Sequence, residues 1–200
     1  MPSGRYAVLG DDGDPVGTED FRCAPGPAGW RYFAEIDTVE HGEHHETVDV
    51  VVDEAWRPVR LRVDTGAHDL LLEGSGETLV GFRDRAPVRF PWHADTHLDY
   101  LTPATNLVTT KRLTGTTEID VLFVDPFTLE IHPTRQRYER IGDETAATPV
   151  GRFDATRWRF TARESGWTGD LWVAGDVVVA YEGIFRLESY DPGANGPRPT

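Results

Sequence analysis

Apolar residues along this chain come in short bursts, many alternating with polar ones, and Gly, Pro, Asp and Asn punctuate them. A period of two places successive side chains on opposite faces of a strand. Trp30 to Ile36 (WRYFAEI) reads as such a strand, with Trp30, Tyr32 or Phe33, and Ile36 on its covered face. Thr47 to Val52 follows. Trp56 to Val63 (WRPVRLRV) sets Val59, Leu61 and Val63 against Arg60 and Arg62, and Pro58 places the start of that strand at an edge or after a bulge. Asp69–Glu73 and Thr78–Phe82 flank Gly74-Ser75-Gly76 as a hairpin. Downstream, Thr117–Val124, Leu129–Ile131, Gln136–Ile141, Arg157–Arg163 and Gly169–Ala174 continue the pattern. Asp176–Tyr181 closes a tight hairpin across Ala174-Gly175-Asp176.

The main interruption runs from Pro87 to Leu113. Within it, Thr102-Pro103 followed by ATNLVTTKRL predicts a short helix with Pro at its first position, although Thr and Val are poor helix formers. Strand candidates otherwise extend from Tyr6 to Leu187 with no linker between them, which favours one large antiparallel sheet system over two domains. No period of about 20–50 residues repeats. The expected organisation is a single domain over residues 1–188 and a flexible tail, 189–200, ending in GANGPRPT.

Charge narrows the partners. The 200 residues carry 34 acidic and 20 basic side chains, a net charge of −14, which opposes binding to nucleic acid and anionic bilayers. The single cysteine, Cys23, can form no internal disulfide and completes no Cys-x-x-Cys pair. Asp11 and Asp12 interrupt the N-terminus before a signal-peptide core develops, and no apolar run reaches about 18 residues. A cytoplasmic location without stable membrane insertion is the expectation.

Candidate chemistry is sparse. His41, His44 and His45 lie in HGEHHE, whose spacing differs from the His-Glu-x-x-His of zinc enzymes, so a polar loop is expected and no metal site. His93, Asp95, His97 and Asp99 would share one face of an extended strand and could carry acid–base chemistry, line a pocket or face solvent. Ser75 lacks a nucleophile elbow, Cys23 lacks an activating neighbour, and Asp64-Thr65-Gly66 occurs once where a paired-acid protease needs two copies. With no phosphate loop or dinucleotide turn, no cofactor is expected.

Leu98-Asp99-Tyr100-Leu101-Thr102-Pro103-Ala104-Thr105-Asn106-Leu107, continuing to Lys111-Arg112-Leu113, resembles the central signature of a family of uncharacterised bacterial proteins named for glycolipid binding. Gly169–Val173 and Val177–Arg186 are similar to that family's closing strands and its Tyr-x-Gly-x-Phe-Arg ending, and Thr134–Tyr138 to its Gln-x-Tyr strand. Val108-Thr109-Thr110 departs from the family's pattern, which has a Pro after the Asn segment. The resemblance implies a single large curved antiparallel sheet forming a spiral β-roll, similar in shape to lipoprotein-carrier proteins, with a short helical insertion near residues 103–112. It also implies non-catalytic binding of an amphipathic ligand such as a lipid or glycolipid.

A sheet lined with Trp, Phe, Val and Leu can accept an acyl chain, and a polar head needs donors and acceptors at the mouth. Lys111, Arg112, Arg135 and Arg137 are the basic candidates, with Tyr100, Asn106 and Tyr181 as orienting groups. Two other readings stand beside this one. The first is a hydrolase-like enzyme using His93 and His97 with Asp95 and Asp99. The second is a structural or protein-interaction domain, distinguished by a filled interior and an exposed apolar patch.

Overall fold

The computed structural model describes residues 1–26, 29–39, 42–93 and 95–200. The first half of the chain forms β1 (Ser3–Leu9), β2 (Pro15–Gly26), β3 (Gly29–Thr38), β4 (His44–Val52), β5 (Pro58–Asp64), β6 (Asp69–Ser75), β7 (Thr78–Arg83), β8 (Ala86–Pro91) and β9 (His97–Asp99). A helix, α1 (Pro103–Arg112), follows. The second half forms β10 (Thr117–Val124), β11 (Ile131–Thr148), β12 (Gly151–Ala162), β13 (Thr168–Ala174), β14 (Val177–Tyr181) and β15 (Phe185–Asp191).

All the described strands join one 15-stranded sheet in the order β8-β7-β6-β5-β4-β3-β2-β1-β15-β14-β13-β12-β11-β10-β9. The first and last strands therefore pair in its middle, with Ala7 opposite Arg186. Every neighbouring pair is antiparallel except β9 and β10, which run parallel with His97 opposite Val121. A parallel pair needs a long crossover, and α1 supplies it. The sheet is the curved, mainly antiparallel architecture the sequence implies, open rather than closed into a barrel, with the helix at the expected residues.

The sheet curls around α1, burying every residue from Pro103 to Thr110. Thr102 caps the helix by accepting from the Ala104 N–H, Pro103 occupies the first turn, and Lys111 and Arg112 face the negative end of the dipole. Over these eight residues the helix is polar yet enclosed, because its side chains find partners. The Thr105 hydroxyl shares its one proton between Tyr100 O at 2.8 Å and Asp99 Oδ1 at 2.9 Å, Thr110 Oγ1 donates to Leu107 O at 2.9 Å, and Asn106 Nδ2 donates to the Tyr138 hydroxyl at 2.7 Å.

Several strands differ from expectation for identifiable reasons. In β3 the inward set is Trp30, Tyr32, Ala34 and Ile36, while Phe33 lies outside beneath the Arg22 guanidinium. Val59 is exposed: Val52 pairs with Pro58 and Val51 with Arg60, so Val59 is the extra residue of a bulge and falls out of phase with Leu61 and Val63. Leu129 is buried in a turn with φ +54° rather than in a strand, its N–H donating to Asp125 O. The strand expected at Gln136–Ile141 continues to Thr148, and its register shifts between Arg140 and Gly142, where Gly142 takes φ +152°. The Pro87–Leu113 interruption contains β8 and β9 in addition to the helix. The segment expected as a tail begins inside β15 and ends with the Thr200 N–H donating to Arg152 O at 2.9 Å.

Candidate functional site

A cavity of about 440 Å³ lies between the N-terminal end of α1 and the inner face of β10–β15. Alternation on the strands decides which side chains reach it. On β11 the even-numbered residues His132, Thr134 and Gln136 line it, so Arg135 and Arg137 necessarily point the other way. Phe123 comes from β10, Phe160 and Ala162 from β12, Tyr181 from β14 and Phe185 from β15, while Trp167 and Ile184 enter from turns. The walls are thus mainly aromatic and aliphatic.

The floor is polar. Asp99, at the end of β9, accepts from Gln136 Nε2 at 2.5 Å and from Thr105 Oγ1 at 2.9 Å. Burial raises the carboxyl pKa, while bonds from Gln136, Thr105 and the Tyr100 N–H oppose that rise. The Tyr181 phenol, also raised by burial, lines the cavity and forms no hydrogen bond among the described residues. At the rim Leu101 and Trp167 are exposed, at 45% and 37%.

Behind the floor lies a second polar layer that joins the helix cap to the sheet. Glu19 on β2 is fully buried and accepts from Tyr32 at 2.5 Å and Thr102 at 2.7 Å. Burial pushes its carboxyl up to about 8, against the lowering effect of those two bonds. Glu46 on β4 accepts from the Tyr100 hydroxyl at 2.7 Å.

The sequence-nominated residues divide between locations. Tyr100, Asn106 and Tyr181 come together around this cavity. The four basic candidates do not. Arg135 pairs with Asp120 at 3.3 Å and Arg137 with Glu139 at 3.8 Å on the outer face, and Lys111 sits over the Trp56 ring. Arg112 donates to Thr96 O and approaches His97 Nδ1 at 3.3 Å, beside a different cleft.

Nor do His93, Asp95, His97 and Asp99 form one catalytic cluster. His93 and Asp95 are exposed in the turn before β9, while His97 is buried beneath Thr109 and Arg112, where burial and the guanidinium lower it to about 3. It is neutral near pH 7 and a poor base there. Asp99 faces the cavity instead. His44 and His45 pair with Glu46 and Asp37, and His41 lies outside the described residues. Among the described residues no group of His, Cys, Asp and Glu has a metal-binding arrangement. Ser165 Oγ accepts from the Trp167 N–H, burial pushes the Cys23 thiol to about 12, and Asp64 accepts from Gly66 in a tight turn.

Glu19 and Gln136 escaped the sequence reading as site residues, and Glu46 entered it only within the HGEHHE loop, though a signal existed. Glu19 is in phase with Phe21 and Cys23, Glu46 with Val48 and Val50, and Gln136 with Tyr138. A polar residue in the apolar phase of a strand is either a functional group or a satisfied core group.

No protein-family profile matches the chain, and no curated protein does. Solved structures do. The chain shares the fold of a DUF1089-family protein from Pseudomonas aeruginosa. The two are 18% identical with a TM-score of 0.60, over 84% of this chain and 91% of that one. A β-barrel-like protein of the DUF1849 domain from Brucella abortus is 7% identical with a TM-score of 0.55, covering 95% and 96% of the two chains. At these identities the likeness establishes the fold and says nothing of the ligand. None of the described helices is long and apolar enough to cross a membrane.

Proposed function

We propose that this protein binds an amphipathic small molecule, a lipid or glycolipid, in the cavity beside α1, without covalent chemistry and in the cytoplasm. The observation that carries the reading is the cavity's gradient. Phe123, Phe160, Ile184 and Phe185 make apolar walls, Asp99, Gln136 and Tyr181 make a polar floor, and exposed Leu101 and Trp167 mark the opening. Burying hydrocarbon against such walls contributes about 25 cal/mol per Å² before the costs of association, and the floor adds orientation. The resemblance of Leu98–Leu113 and Val177–Arg186 to the glycolipid-binding family supports the same reading. So does the split of the His/Asp residues, since His93, Asp95 and His97 line another cleft, where buried His97 is a poor base, and Asp99 faces this one. Of the residues nominated from the sequence, Tyr100, Asn106 and Tyr181 line that cavity, whereas Arg135 and Arg137 pair with Asp120 and Glu139 on the outer face. Nucleic acid is not a partner on charge grounds.

Native mass spectrometry after mild purification tests this directly. A co-purifying lipid, or saturable binding from a lipid panel, is the expected result. Neither a bound species nor saturable binding to any member would refute it.

A further inference from the structure

A second cavity of about 510 Å³ lies between the first four strands and the turns around Phe127 and Gly183. Leu101, Trp167, Ile184 and Phe185 line both, so one apolar partition separates them. Neither described lining includes a Lys or Arg. Their acidic members are Asp11, Glu43, Glu46, Asp99 and Glu164.

Glu46 stands apart from the other acids of the second cavity because it is 5% exposed. Its Oε2 accepts from the Tyr100 hydroxyl at 2.7 Å and pairs with His44 Nε2 at 3.1 Å, whereas its Oε1 forms no hydrogen bond among the described residues. Neither partner is a permanent cation. With the side chain only 6% exposed, Oε1 keeps its contact with the cavity space, where a ligand's counter-charge can reach it. Trp167 and Phe127 add exposed aromatic rings at the opening, and ring faces attract cations. An anionic head would meet acid on both sides of the partition.

We propose that the ligand's polar head is cationic, an ammonium group seated on Glu46 in the second cavity while its hydrocarbon occupies the first. The inference rests on the amphipath-binding reading above and reverses the sign of head expected from the basic residues in the sequence. Apolar length sets affinity in one cavity, and charge sets selectivity in the other.

The test compares decylamine, decyl maltoside and decanoate, each below its micellar threshold, by calorimetric titration of the intact protein at neutral pH. Physiological salt shortens the reach of the overall charge to about 8 Å. The amine is expected to bind at least about tenfold more tightly than the maltoside, and decanoate at least about tenfold more weakly. Glu46→Gln should bring the amine-to-maltoside ratio close to one. Asp120→Asn, which removes one charge from an outer-face side chain 82% exposed, should leave the ratio intact. Maltoside binding without amine preference, or an amine preference that survives Glu46→Gln, overturns the inference and leaves the amphipath reading standing. Binding by none of the three overturns both. The three-ligand comparison on the unaltered protein decides the charge question even where the variant does not fold.

Discussion

Glu19→Gln should stabilise this protein, by an amount that grows with pH. The carboxyl is raised from its ordinary 4.5 to about 8, chiefly by burial, with the Glu46 charge adding to the rise. The folded protein therefore keeps a proton that the unfolded chain releases above about 4.5. Stability from this group is fully present below that point and is lost as pH rises to about 8, at about 1.4 kcal/mol per pH unit. By pH 7 the loss reaches about 3 kcal/mol, roughly 6–12 °C in melting temperature for a chain this long. Glutamine keeps a carbonyl oxygen to accept from Tyr32 and Thr102, and it places an amide where Glu19 Oε2 has no partner, so the cost at low pH is small. Urea unfolding of both proteins, at intervals from about pH 5 to about pH 9, isolates the effect because titrations uncoupled from Glu19 cancel in the difference. The curves should diverge progressively and run parallel above about pH 8. A constant difference across that range would refute the claim that Glu19 is folded in its protonated form.

Three further outcomes follow from the packing. Thr134→Trp should fill the cavity from β11 and weaken amphipath binding by about tenfold or more in the same titration, with the far-ultraviolet circular dichroism unchanged. Asn106→Ala removes the Nδ2 donor that holds the buried Tyr138 hydroxyl at 2.7 Å, and should cost about 1–3 kcal/mol in urea unfolding. Leu61→Ala should cost about 2–5 kcal/mol while Val59→Ala stays within about 0.5 kcal/mol, a contrast set by the β5 bulge and measurable by thermal melts.

The strands were legible wherever period two persisted without interruption, as in Thr47–Val52, where Val48, Val50 and Val52 all face inward. Legibility failed where the backbone broke the period. At Val59 one extra residue reversed the phase, and at Leu129 a positive φ put an apolar side chain inside from a turn. The helix boundaries followed from Thr102, Pro103 and the terminal Lys111-Arg112. Its surroundings could not follow, because its composition is that of an exposed segment and only the closing of the sheet encloses it. The site divided along the same line. Tyr100 and Tyr181 carry apolar bodies with polar tips and fell inside, and Asn106 is inside because the helix that carries it is. The arginines of β11 alternate with Gln136 and Tyr138, so placing Gln136 and Tyr138 inside forced Arg135 and Arg137 outside.

That polar helix also bears on why a cavity persists at all. An apolar helix against an apolar sheet would gain dispersion contacts by closing the gap, and interiors pack to the density of organic crystals. Here the N-terminal end of α1 is held to the sheet through bonds of fixed length: Thr102 to Glu19, Thr105 to Asp99, Asp99 to Gln136, and Asn106 to Tyr138. Each would have to break, exposing a buried polar group to an apolar surround, before Phe160 and Phe185 could approach the helix. The polar layer therefore acts as a spacer, and the large apolar side chains on the β12–β15 side are left facing space that a ligand can fill. Replacing Thr105, Asn106 and Gln136 together by Val, Leu and Leu should accordingly close the cavity, at a cost in stability because the buried Asp99 carboxyl and Tyr138 hydroxyl lose their donors. A triple variant that keeps full amphipath binding would show that the curvature of the sheet, and not the polar layer, holds the cavity open.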